Sequence, residues 1–308
     1  MKKGIIFALL ASVLWAMVSP FIKKGIACDF SPVNFAGLRF TLVGTVLMIY
    51  TAHRGMWKEI RNNIRLFGML ILLNIFLGYA TFYIGVDLVS ADISSIIMGL
   101  TPLINVLLAH FLISTDRLTT RKTISLLVSL IGLSLIVGTG NNGSPLEPRG
   151  IIGIALLLLS ILLQGYSAIL VSGRRDNSRQ DTTSPVFLNA VQMFFGGLML
   201  YGAGVATEGF HPFWDKPAIF YTSLSILVLI SIFAFSFWFV ALRAGDTPVS
   251  DINMCRMVHP VIGAGMSWML MADESPQIGT VSGMLIIMAA LLIYFKVDKR
   301  LVKKHVAD

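Results

Sequence analysis

Charge is scarce in this chain. Only 13% of its 308 residues are Asp, Glu, Lys or Arg, while 56% are hydrophobic. A soluble domain carries roughly 25% charged residues. A chain this apolar cannot cover itself with polar surface, so its solvent must be largely lipid. Alternating strand patterns are also missing. The apolar runs are continuous and about 20 residues long, which suits helices crossing a hydrocarbon core of ~30 Å. Barrel strands would alternate over ~10 residues. Cysteine is nearly absent: Cys28 and Cys255 sit in dissimilar contexts with no metal-ligand spacing. Neither a disulfide framework nor a metal site is expected. There is no P-loop, no HExxH, no GxSxG, and no polar stretch long enough for a nucleotide domain. Catalysis, a cofactor and ATP-driven work by this chain alone are therefore not expected. The formal charge of +8 does not mark a nucleic-acid face, because the basic residues flank apolar runs, where they signal topology.

What is present is a series of apolar runs. Met1-Lys2-Lys3 followed by GIIFALLASVLWAMVSPFI is longer than the ~7–15 residues of a signal-peptide core, so it reads as an uncleaved first span. Ten spans are expected: 4–22, 33–52, 66–86, 93–113, 122–139, 150–171, 184–206, 217–242, 249–271 and 278–296. Ser-Pro pairs at 31–32 and 184–185 open spans 2 and 7, an N-cap followed by proline at the first helical position. The polar segment NNGSPLEPRG near the midpoint is the one real linker. With the N-terminus in the cytoplasm, only Lys23, Lys24, Arg149 and Lys216 fall outside among the loop cations. That bias predicts cytoplasmic N- and C-termini in an inner or plasma membrane.

Two spans resemble each other. Span 4 carries Pro102, with Asp116 fourteen residues later; span 9 carries Pro260, with Glu274 fourteen residues later. Span 2, SPVNFAGLRFTLVGTVL, also aligns with span 7, SPVFLNAVQMFFGGLML. The chain therefore divides into a first five-helix repeat (1–140), a linker (141–149), a second repeat (150–297) and a basic tail (298–308). Five is odd, so the second repeat runs upside down. Inverted repeats are a transporter architecture that places substrate near the midplane and works by alternating access. The expected fold class is an all-α polytopic membrane protein of ten transmembrane helices in two inverted five-helix repeats.

At this point the chain resembles the EamA-type drug/metabolite transporter superfamily. The matching residues are Trp15-Ala16, the SP-x6-R stretch ending at Arg39, LTP at 100–102 and Asp116-Arg117-Leu118. In the second half they are AVQ at 190–192, HP at 259–260 and DE at 273–274. The resemblance covers nearly the whole chain. It implies a central cavity lined by helices 1, 3, 4, 6, 8 and 9. It is poor for substrate, because the superfamily moves amino acids, quaternary amines, nucleotide-like metabolites and dyes.

Polar groups in mid-span usually face a cavity or a partner helix. Asn105 and His110 on span 4, Gln164 on span 6, and Asp251, Arg256 and His259 on span 9 are the candidates. Arg256 either holds a carboxylate, from substrate or from Asp251, or snorkels to the cytoplasmic side. Arg39 reads as a contact between helices. His259, His110 and Asp251 are the candidates for proton coupling, since histidine titrates near neutrality; a neutral packing role is the alternative for the histidines. Trp15, Tyr79, Tyr83 and Trp238 fall on spans the superfamily uses for its cavity, where they could cage a cation or a flat ring. Pro102 and Pro260 each remove an amide and bend their helix, so they are assigned to gating, on opposite sides of one cavity. The expected partners are the lipid bilayer, a small-molecule substrate and protons. The expected function is secondary transport of an amino acid or related metabolite, outward. Import or exchange of a cationic or aromatic metabolite is the alternative within transport. A membrane scaffold or sensor is the alternative outside it.

Overall fold

The computed structural model describes residues 3–52, 55–112, 120–139, 147–172, 184–243 and 255–305. The fold is 87% helical, and no strand occurs among the described residues, so the barrel alternative is gone. The helices are α1 (Lys3–Ala16), α2 (Val18–Ile26), α3 (Pro32–Thr51), α4 (Met56–Asn62), α5 (Ile64–Met69), a π-helical turn (Leu70–Leu77) and α6 (Gly78–Leu88). They continue with α7 (Ala91–Met98), α8 (Thr101–Leu112), α9 (Thr120–Thr139), α10 (Pro148–Ser172), α11 (Pro185–Glu208) and α12 (Ala218–Arg243). A 3-10 turn (Cys255–Val258), α13 (His259–Leu270) and α14 (Ile278–His305) complete the chain.

Six helical stretches are long and apolar enough to cross a membrane, corresponding to spans 1, 2, 3, 6, 7 and 8; shorter apolar helices stand at spans 4, 5 and 10. The protein is thus an all-helical, multi-pass membrane protein. Its outer faces remain apolar: Met269 is 82% exposed and Ile278 87% exposed. Water would penalise such faces; hydrocarbon does not.

Three expectations change. Spans 1, 4 and 9 are not single helices: span 1 breaks at Met17, span 4 at Gly99-Leu100, and the described part of span 9 begins with a 3-10 turn. The last helix does not stop at 296 but runs on to His305, through most of the basic tail. A short helix, α4, fills the connection before span 3, where the sequence showed only scattered basic residues.

Each major packing pair joins the two halves. Span 1 packs on span 8, span 2 on span 7, span 3 on span 6, span 4 on span 9, and span 5 on span 10. The closest is α3 against α11. Gly37 faces Tyr201, Gly44 faces Phe194, Gly197 faces Thr41, and Gly204 faces Asn34. Residue numbers rise on one helix as they fall on the other, so the two are antiparallel. Gly44 and Gly197 are the glycines that coincide when the two spans are aligned. Small residues permit backbone approach where lipid gives no hydrophobic drive for association. Gly132 and Gly283 play the same part between α9 and α14.

Candidate functional site

Proline decides the shape of spans 4 and 9. Pro102 lacks the amide that would bond the Met98 carbonyl four residues back. The helix breaks there, and the Thr101 hydroxyl donates to Met98 O at 2.6 Å instead. Pro260 frees the Arg256 carbonyl by the same logic. There the His259 ring takes over, with Nδ1–H donating to Arg256 O at 3.0 Å. In both halves the residue before proline satisfies the carbonyl that proline orphaned. A threonine does it in one half and a histidine in the other.

The two broken spans meet. A side chain on Gly99 would collide with the Pro260 ring, and one on Gly263 with Ser95. Pro260 therefore packs against the break in span 4, three residues from Pro102. The expectation that the prolines flank a cavity gives way to a direct crossing of the two breaks.

Toward the Lys23 end, α7 and α13 are tied together. Glu274 accepts from the Ala91 amide at 2.6 Å and the Asp92 amide at 3.1 Å. Its second oxygen also accepts from the Ser267 hydroxyl at 2.7 Å. A carboxylate from the second half thus caps the N-terminus of α7, where orphan amides and the helix dipole favour negative charge. Asp92 reciprocates, accepting from Trp268 Nε1 at 3.0 Å. Lys23 Nζ donates to Asp87 O at 2.8 Å beside them. Beyond the crossing the arrangement differs: α8 packs on α10, while the 3-10 turn packs on α1.

Arg256 sits on that 3-10 turn. Its guanidinium lies 4.9 Å from the Trp15 ring centre and 4.6 Å from that of Trp238. The two indoles are 5.4 Å apart, and Phe235 meets Trp15 edge-on at 5.2 Å. Arg256 Nε is buried without a hydrogen-bond partner, and no carboxylate pairs with the guanidinium among the described residues.

Arg39 is the contrast. It is 3% exposed, and its nitrogens are engaged: Nη1 donates to Tyr83 OH at 2.7 Å, and Nε and Nη2 to Ser231 Oγ at 3.1 and 2.8 Å. It also lies over the Phe40 ring at 5.1 Å. Arg39 ties α3, α6 and α12 together, the interhelical contact expected of it.

The sequence-predicted residues are therefore sorted as follows. Trp15, Trp238 and Arg256 come together, with His259 holding the Arg256 backbone. Tyr83 is fully buried and committed to Arg39, and Tyr79 meets Phe40 at a tilt, ring centres 4.2 Å apart. Asn105 Oδ1, packed on Gly165, and Gln164 Nε2 are buried without partners on neighbouring α8 and α10. His110 lies near the end of α8 with its side chain outside the described part; Asp251 lies wholly outside the described residues. Asn74, on the π-helical turn, donates to Gln192 at 2.9 Å and bridges helices. Sequence reasoning missed Ser231 as the acceptor for Arg39 and missed Trp268 as the partner of Asp92. Glu274 was visible as an acid at a repeated spacing, but its capping role was not.

Comparison with known proteins places this geometry. The model of the EamA-like transporter family matches residues 2–138 and again 151–296. The uncharacterized transporter YvbV of Bacillus subtilis (strain 168) is 25% identical over 285 residues, covering 91% of this chain and 88% of that protein. An uncharacterized transporter of Archaeoglobus fulgidus is 23% identical, covering 92% and 94%. YyaM, another uncharacterized transporter of Bacillus subtilis, is 30% identical over 114 residues, covering 36% and 37%. A protein of known crystal structure shares the fold with a TM-score of 0.65 at 15% identity, covering 97% of this chain and 98% of that one.

Proposed function

The chain belongs to the EamA-like transporter family, and from that premise we propose that it is a secondary transporter of a small metabolite working by alternating access between two inverted five-helix repeats. The observation that carries the mechanism is the one-sided closure of spans 4 and 9. They are latched by Glu274 at the Lys23 end, and beyond the Gly99–Pro260 crossing they pack on different partners, α8 on α10 and the 3-10 turn on α1. The pairing of spans supports the symmetry, since exchanging the halves turns the pair 1–8 into 6–3 and leaves 2–7, 4–9 and 5–10 as they are. With ten spans and the N-terminus inside, the latched end is the outer one. The conformation is then inward-facing, in an inner or plasma membrane. An amino acid or related metabolite is the proposed cargo, moved outward.

Cation import is the weaker alternative. The indole faces that would cage a cation are filled by Arg256. A scaffold or sensor would have no use for a latch joining two proline-broken helices. The deciding experiment is counterflow in proteoliposomes across amino acids, amines, nucleosides and organic acids. Flux of at least one class above protein-free vesicles is expected. No flux and no thermal stabilisation by any class, with a partner protein co-purifying, would remove the transport reading.

Glu274 provides a mechanistic test. A helix cap contributes about 0.5–2 kcal/mol, and ~1.4 kcal/mol is a tenfold change in an equilibrium. In a Cys28→Ser/Cys255→Ala background, Ser95→Cys reports opening at the latched end. Adding Glu274→Ala is expected to speed its labelling by a membrane-impermeant maleimide applied outside, by roughly 2–30-fold. An unchanged rate would mean the latch does not gate.

His259 separates two readings of coupling. If it carries protons, both His259→Ala and His259→Thr abolish pH-driven uptake and spare counterflow. If it holds the Arg256 carbonyl, as Thr101 holds that of Met98, His259→Thr retains both activities and His259→Ala weakens both. The shared proline-turn geometry supports the second reading, so retention in His259→Thr is the expected result.

A further inference from the structure

We propose that the transported substrate carries a single carboxylate, bound by the free edge of the Arg256 guanidinium. This deepens the transporter reading and rests on it. Two arginines, Arg39 buried and Arg256 partly buried, lie in the helical bundle, and they are opposites. Arg39 donates through all three nitrogens to Tyr83 and Ser231 and is 3% exposed, so it is committed to neighbouring helices. Arg256 has its Nε buried without a partner, and no carboxylate meets its guanidinium among the described residues. A charge removed from water is tolerated when it is paired and hydrogen-bonded, and is otherwise costly. A guanidinium that meets no acid among the described residues, beside the crossing of spans 4 and 9, is a site suited to a counter-charge.

The surroundings specify how that charge must approach. Trp15 and Trp238 each hold the guanidinium over a ring, at 4.9 and 4.6 Å. Contact with aromatic rings leaves the planar N–H edge as the hydrogen-bonding direction. That edge is the fork that matches a carboxylate with two parallel bonds. The same contacts argue against an amine or quaternary ammonium substrate. Such a ligand would meet a like charge, and the indoles that would attract it already attract Arg256. One uncommitted guanidinium balances one negative charge, which favours a monocarboxylate over a phosphate dianion. The aromatic group completed by Phe235 suits an apolar body on the substrate. His259 positions the device by holding the Arg256 carbonyl.

The test uses four matched probes: leucine, 4-methylpentanoate, leucine methyl ester and isoamylamine. Binding is read in detergent by quenching of tryptophan fluorescence, and flux is read by counterflow in proteoliposomes. Leucine and 4-methylpentanoate are expected to bind and exchange. The ester and the amine are expected to do neither. Arg256→Gln should weaken carboxylate binding by about tenfold or more, and Arg256→Lys by less, because lysine keeps the charge without the fork. The melting temperature of apo Arg256→Gln should match that of the unsubstituted protein, whereas a purely structural arginine would lower it. If the amine or the ester exchanges and both carboxylates are inert, the substrate class is wrong while transport stands. If a phosphate monoester binds in their place, the single-charge argument falls. If carboxylate binding is equal in Arg256→Gln, Arg256 is not the site. If no organic acid, amine or ester binds or exchanges, the proposal is overturned; flux of some other class would still leave the transport reading intact.

Discussion

Gly44→Leu is expected to leave no folded, monodisperse protein after extraction in mild detergent. A Cβ on Gly44 would fall within the van der Waals radius of the Phe194 backbone, against both its amide nitrogen and its Cα. No rotamer change relieves that contact, because what it meets is main chain. The helices must separate, and separation unseats every contact along α3 and α11, including Gly37 on Tyr201 and Gly204 on Asn34. Overpacking a well-filled core by a methylene or two costs about 1–3 kcal/mol; a leucine between two backbones exceeds that. Gly44→Ala is the graded version, with a melting temperature lower by several degrees. Gly197→Leu should match Gly44→Leu, since its Cβ would meet the Thr41 amide from the other side. The control is Gly202→Ala on the same helix α11, where a Cβ meets nothing within 4 Å. There the gain in helix propensity, about 0.5–1 kcal/mol, should leave the melting temperature unchanged or slightly raised. Equal behaviour of Gly44→Ala and Gly202→Ala would show that the crossing is looser than the structure has it.

Arg39→Met is expected to lower the melting temperature by about 5–10 °C, the second largest effect. The substitution keeps an unbranched apolar stem and removes the guanidinium with its hydrogen bonds. Ser231 retains its own bond to Leu227 O at 2.8 Å. Tyr83, fully buried, loses its partner in an environment where an unsatisfied hydroxyl is costly. Hydrogen bonds to charged groups contribute about 1.5–3 kcal/mol each in water-soluble proteins, and nearer 0.6 between membrane helices. Relief from burying a charge offsets part of the loss. The net remains destabilising because three helices depend on one side chain. Arg39→Lys should not rescue it, since an ammonium has no fork to span Tyr83 and Ser231 at once. Arg39→Met combined with Tyr83→Phe should cost less than the sum of the two, the mark of a shared interaction. Strict additivity would break the assignment.

Arg39 and Arg256 also show where sequence reading stops. Both lie about seven residues inside their expected spans. Only the fold shows which partners each one meets. Ser231 lies 192 residues from Arg39 in the chain, and no local pattern announces it. The same holds for Glu274, which meets amides 183 and 182 residues away. The His259 bond was closer to legible. A proline frees the carbonyl four residues before it, and the side chain just ahead of the proline is well placed to reach it. Thr101 follows the same rule, so the pair could have been read as one motif rather than as a proton carrier and a polar neighbour.

The sequence by itself determined the solvent, the helical class and the family. Those depend on the sum of apolar residues and on spacings along one chain. It also located the two prolines and the aligned glycines Gly44 and Gly197, because backbone geometry is a property of residue type. Tertiary structure alone decided which polar groups are satisfied and which are left open. Hydrogen bonding within a membrane is settled by partners on other helices, and those partners are brought together only when the two halves pack. By that measure Arg39 is part of the frame, whereas Arg256 Nε has no partner among the described residues.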